Sequence, residues 1–166
     1  MKREFIIDGE DKAKEPFIYR MSGLDDVVLL NGFTRHETDY GEGVSIDNID
    51  SLHDAIAIHI ITTKKNLTPK EFRFLRSELE MTQDQLGGYL KISGQTVARY
   101  EKGETEISGP ADQLIRVAII LKMMPADKIA ELFEEIQEAA ASDEITTGAP
   151  VRFKEAAGVW EEVCCA

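Results

Sequence analysis

Three helix starts follow one another between residues 68 and 93, and no other feature constrains the fold as tightly. Thr68-Pro69-Lys70-Glu71 is a capping box with proline at the first helical position, and Leu67 with Phe72 sit where a hydrophobic staple belongs. Thr82-Gln83-Asp84-Gln85 repeats the box, with Met81 and Leu86 as its staple. Ser93 caps a third helix, with Ile92 and Val97 flanking it, and Gly103 stops that helix. The predicted helices run to about Leu79, Leu90 and Glu101. Helices this short bury a core only if they cross steeply and gain a fourth wall. A helix from Pro110 to Met123 is expected to supply it through Leu114, Val117, Ala118 and Leu121.

The second and third helices are joined by the tight turn Lys91-Ile92-Ser93, which is helix-turn-helix spacing. On the third helix, Gln95, Thr96 and Arg99 share one face, while Val97 and Tyr100 point the other way. Arg suits bidentate bonds to guanine, Gln suits adenine, and Thr offers a hydroxyl or a methyl. The amides at Thr82 and Gln83 are placed to hold a phosphate, with Lys91 and Lys102 flanking the nucleic-acid backbone. Glu101 is expected to pair with Arg99, Lys102 or a neighbouring helix, because a carboxylate repels phosphate.

The run Thr82-Gln83-x-x-Leu86-Gly87-x-x-Leu90-x-Ile92-Ser93-x-x-Thr96-Val97-Ala98-Arg99-Tyr100-Glu101-Lys102-Gly103 resembles the Xre/Cro/C1-type helix-turn-helix. The resemblance covers about residues 68 to 123 and implies a five-helix domain that binds operator DNA. Ala98 to Gly103 is similar to the DNA-binding half of the MqsA/YgiT class of antitoxins. That likeness implies base reading by Gln95 and Arg99. Two departures stand out: Lys91 occupies the usual turn glycine, and Gly87-Gly88 stands where alanine is common. The amino-terminal half of that antitoxin class needs four cysteines to bind zinc, and this chain has none before Cys164. Ser22 to Phe33 is instead similar to a zinc-free opening found in short antitoxin-like regulators.

Charge bears on the partner. The 166 residues carry 19 basic and 31 acidic side chains and a net charge of −12, which by itself disfavours nucleic acid. The distribution changes that reading, because residues 68–123 are neutral while the flanks hold all of the excess negative charge. A basic face fits the middle segment, and the acidic flanks suit a cationic protein. The alternative of an antitoxin-like chain that neutralises a basic toxin and autoregulates its operon therefore stays open beside a repressor.

The remaining segments organise around this centre. Residues 1–66 read as a small α+β module for partner binding or dimerisation: Phe5-Ile6-Ile7 as a strand or arm, then two to four strands between Pro16 and Ile46, then a helix from about Leu52 to Thr63. Residues 67–142 form the predicted helix-turn-helix domain, closed by a helix from Ala126 to Ala141. The stripe Ile129, Leu132, Phe133 and Ile136 on that helix suggests a seam against a second copy. Residues 143–166 are an acidic tail that follows Gly148-Ala149-Pro150, with a hairpin docked by Trp160. The expected class is α+β with a central all-α domain.

No nucleophile elbow, phosphate loop or paired His-Cys arrangement points to an enzyme, and no cofactor is expected. His36, His53 and His59 lack metal spacing. Asp25-Asp26 and Asp47, Asp50 and Asp54 read as caps and turns rather than a cation site. Cys164-Cys165 reads as an exposed tail. No run approaches the ~20 apolar residues of a membrane span, so a cytoplasmic protein is expected. One helix reads few base pairs, and a homodimer on a palindromic operator, with half-sites ~10 bp apart, follows from residues 93–102 as the reading element.

Overall fold

The computed structural model describes residues 15–38, 41–123, 128–141 and 150–163. Phe5 to Ile7, the Ala126 start of the last helix, the Gly148-Ala149 turn and Cys164-Cys165 lie outside the described residues. The class is α+β, with six helices and six strands described. The strands are β1 (Phe17–Ile18), β2 (Val27–Leu29), β3 (Phe33–Thr38), β4 (Gly41–Ile46), β5 (Val151–Ala156) and β6 (Val159–Glu162). The helices are α1 (Ile49–Thr63), α2 (Pro69–Glu78), α3 (Gln83–Leu90), α4 (Gly94–Lys102), α5 (Gly109–Met123) and α6 (Ile129–Ala141). The chain forms two compact units, one of them made largely of residues before Ala55 and after Gly148 and the other largely of residues from Ile56 to Thr147, so that α1 is shared between them.

The first unit holds the strands. β1, β2, β5 and β6 form one sheet in that order, and β3 and β4 form a separate hairpin. β2 pairs in parallel with β5, Val27 opposite Val151 and Leu29 opposite Phe153, so the carboxy-terminal segment is a part of the amino-terminal sheet and not a tail apart from it. The expected hairpin is present: β5 and β6 turn at Ala157-Gly158. Trp160 fixes it, donating from its indole nitrogen to the Asp47 carbonyl at 3.0 Å. Its ring packs onto Gly32, where φ is +69° and a Cβ would lie 2.5 Å from the ring. No side chain fits there.

The second unit is built on the capping signals. Thr68 and Glu71 exchange both bonds of a capping box at the head of α2, and Thr82 and Gln85 do the same at α3. Ser93 accepts from the Thr96 amide at 3.1 Å and starts α4. Phe72, Leu75, Leu86, Val97, Ile115 and Ile119 are fully buried, and Phe72 meets Tyr100 edge-on at 5.7 Å. The second half of α1 belongs to this unit too, burying Ile56, Ala57, Ile60 and Ile61. The helical part thus has six contributors, not five.

Two apolar stripes proved to be used differently from the sequence reading. On α5 the buried face is Ala111, Ile115, Ala118 and Ile119, whereas Leu114 is 39% and Leu121 65% exposed. Both stripes have helical period, and the choice is made by Asp112 and Arg116, whose buried network requires its side of α5 to face inward. On α6, Leu132 and Ile136 are buried within the chain, leaving Phe133 exposed. Two of the four residues of the expected seam are therefore covered from within.

Gly88 on α3 is exposed, and a Cβ there would meet nothing within 4 Å. Since glycine costs about 1 kcal/mol relative to alanine inside a helix, Gly88→Ala should stabilise the chain by roughly 0.5–1 kcal/mol. A urea titration showing no rise in midpoint would contradict this. Gly87 differs, because its Cβ would lie 2.8 Å from the Ile92 carbonyl and 2.9 Å from the Gly94 nitrogen. There the helix passes against the turn backbone.

Candidate nucleic-acid interface

Lys91 ends α3 in the left-handed region, φ 59° and ψ 36°, the conformation a turn glycine would adopt. A β-carbon there costs about 1–2 kcal/mol, which explains why glycine is usual and shows that lysine still allows the turn. The Ile92 amide donates to the Gly87 carbonyl at 2.9 Å and closes the turn. At the other end of α4, Gly103 has φ 71°, and the Glu104 amide donates to the Arg99 carbonyl at 3.0 Å. This is a Schellman ending, and it fixes α4 at nine residues.

Val97 and Tyr100 pin one side of α4 into the core. Helical geometry then sets Gln95, Arg99 and Lys102, spaced i, i+4 and i+7, on the opposite side, where all three are exposed. Gln95 and Arg99 engage no hydrogen-bond or ionic partner among the described residues. Lys102 lies 3.9 Å from Glu104, with both side chains more than half exposed, a pair weak enough for phosphate to displace. Thr96 sits to one side, half-buried, with its hydroxyl 2.9 Å from that of Ser93. Its methyl is the part left to meet a base. Lys91 is exposed in the turn.

The amino terminus of α3 differs in detail from the sequence reading. The Thr82 amide is not free, because it donates to Gln85 Oε1 at 2.8 Å. The Gln83 side chain donates to Glu101 Oε2 at 2.8 Å, so its contribution to a phosphate is its backbone amide. Gln83 and Asp84 are the first two residues inside α3, and amides at these positions have no acceptor within the helix.

Glu101 is the residue whose partners the sequence left unresolved. Its side chain is 5% exposed and takes Arg76 of α2 on both oxygens, at 2.5 and 3.2 Å, as well as Gln83 of α3. Arg99 and Lys102 are not its partners. Arg76 also donates to the Met81 carbonyl at 2.7 Å, so one buried carboxylate ties α2, the α2–α3 turn, the head of α3 and the tail of α4. Twenty-five residues separate Arg76 from Glu101, beyond the reach of any local pattern.

A capped helix, a tight turn and a second helix with one polar unbonded face define a helix-turn-helix DNA-binding domain. Residues 72–111 match the Helix-turn-helix family, whose type is that of Xre and Cro, so the chain carries a helix-turn-helix domain of a DNA-binding family. The family is one of DNA-binding domains rather than enzymes. No curated protein and no solved structure matches the chain, so the narrower likeness to MqsA/YgiT antitoxins rests on Ala98 to Gly103 alone. Among the described residues, no helix is long and apolar enough to cross a membrane, and no three His, Cys, Asp or Glu side chains are grouped to hold a metal.

Proposed function

We propose that the protein is a sequence-specific, cytoplasmic repressor that binds a palindromic operator as a homodimer, with α4 in the major groove. The observation that carries this reading is the pairing of Gln95 and Arg99 on the exposed face of a helix whose opposite face is locked in the core. Arg99 reads guanine and Gln95 adenine, with the Thr96 methyl available to thymine. Lys91, Lys102 and the backbone amide of Gln83 at the head of α3 bracket the groove through phosphates, setting register without reading sequence. One α4 contacts too few base pairs for selectivity, which calls for two copies on two half-sites.

The exposed α5 stripe supports the dimer. Leu114 and Leu121 are two turns apart on one face, with Val117 half-buried between them, and two-fold packing would set Leu114 of one copy against Leu121 of the other. Selection of bound duplexes from a random pool by the purified protein tests the reading. The expected product is a two-fold symmetric sequence with half-sites ~10 bp apart. A pool that stays random with folded protein would contradict base reading, and an asymmetric single site would contradict the dimer.

A further inference from the structure

The inference here rests on base reading by α4. Recognition helices place their amino-terminal residues against base edges, yet the first residue of α4 is Gly94, which has no side chain to offer. The space is filled from elsewhere. A Cβ built on Gly94 would lie 1.9 Å from Asp84 Oδ1, 2.9 Å from its Cγ and 3.0 Å from its Cα. Asp84 is the second residue of α3, is exposed, and projects its carboxylate into the volume that a side chain at position 94 would occupy. The positive end of α4 favours an anion there, which accounts for a carboxylate that has no cation beside it among the described residues.

We infer that Asp84 is a base-reading residue, supplying from α3 the side chain that the head of α4 lacks and accepting a hydrogen bond from an exocyclic amine of the operator, cytosine N4 foremost. An ionised carboxylate accepts only, so it suits the N4 amine of cytosine in the major groove. It is repelled by the O6 and N7 of guanine and the O4 of thymine, which makes it an excluding element as much as an attracting one. Phosphate is excluded on the same ground. The pattern across the groove becomes an acceptor from Asp84 at one end of α4, then Gln95, then the donor fork of Arg99.

The test is duplex selection by the wild-type protein beside Asp84→Ala, Asp84→Asn and Gly94→Ala. Gly94→Ala keeps the carboxylate but displaces it, so it probes the same base pair without removing a charge, and it serves if Asp84→Ala disturbs folding. The expected result is a preferred cytosine at one base pair of each half-site, lost by roughly five- to hundredfold in all three variants while the positions that depend on Arg99 persist. An unchanged preference at every base pair would overturn the inference. So would an equal gain in affinity on all duplexes by the Asp84 variants, which would mark plain repulsion of phosphate. If the wild-type protein enriches nothing, base reading by α4 fails, and this inference falls with it; enrichment without any Asp84 dependence defeats this inference alone.

Discussion

Arg116→Ala should remove about 3–5 kcal/mol of stability, the largest loss expected from any single substitution in the helical unit. Arg116 is 2% exposed and donates to Asp112 Oδ1 at 2.5 Å, to the Ile61 carbonyl at 2.8 Å and to the Lys64 carbonyl at 2.9 Å. Asp112 accepts in turn from the Leu67 amide at 2.8 Å. One guanidinium therefore serves a buried carboxylate and the carbonyls at the end of α1, which have no helical donor of their own. Truncation leaves the carboxylate of Asp112 without its cation and the carbonyls without their donor, as well as opening a cavity. Asp112→Leu combined with Arg116→Met should recover only part of the loss, since the α1 carbonyls and the Leu67 amide stay without partners. Urea titrations of the two variants measure this. A loss below about 1 kcal/mol for Arg116→Ala would show that the end of α1 is satisfied by water.

Glu101→Ala is expected to combine a stability loss of about 3 kcal/mol with weaker binding to every DNA sequence. The substitution frees Arg76 in a site where its side chain is 15% exposed, and releases Gln83 at the head of α3. The phosphate-facing amides of α3 and the exposed face of α4 then lose their fixed relation. Because the contacts disturbed are positional, operator and random duplexes should lose affinity alike. Thermal unfolding by circular dichroism, paired with binding to both duplexes below the melting point, separates the two effects. Glu101→Gln, which keeps two bonds but not the charge, should fall between. Unaltered binding by a folded Glu101→Ala protein would show that α3 and α4 hold their geometry through Leu86, Val97 and Tyr100 alone.

The elements that local chemistry specifies are legible in the sequence. Thr68, Thr82 and Ser93 each bond an amide three residues on, so the cap and the helix it starts lie within one stretch of sequence. The turn at Lys91 and the outward face of Gln95 and Arg99 follow from those starts by helical geometry. What escaped the sequence is what joins distant residues. Val27 pairs with Val151 and Asn31 with Glu155, 124 residues apart, so the carboxy-terminal strands read as a separate tail. Arg116 gives no signal in the sequence, because its acceptors include the carbonyls of Ile61 and Lys64, which carry no side-chain signature. With its inward position unknown, the leucine stripe of α5 was as good a core face as the isoleucine one. Asp84 was legible as a helix residue, but its place over Gly94 depends on how closely α3 passes the turn.

The division of labour within α4 also predicts which variants leave the fold intact. Gln95 and Arg99 are exposed, so their truncation should change binding with little effect on stability. The most direct measurement is a set of binding titrations on the selected duplex and a scrambled one, at two salt concentrations, for the wild-type protein, Arg99→Ala and Lys102→Ala. Arg99→Ala is predicted to lose about 1–3 kcal/mol on the selected duplex and much less on the scrambled one, whereas Lys102→Ala should weaken both equally and flatten the salt dependence by about one phosphate contact. Equal losses on both duplexes for Arg99→Ala would contradict base reading by α4.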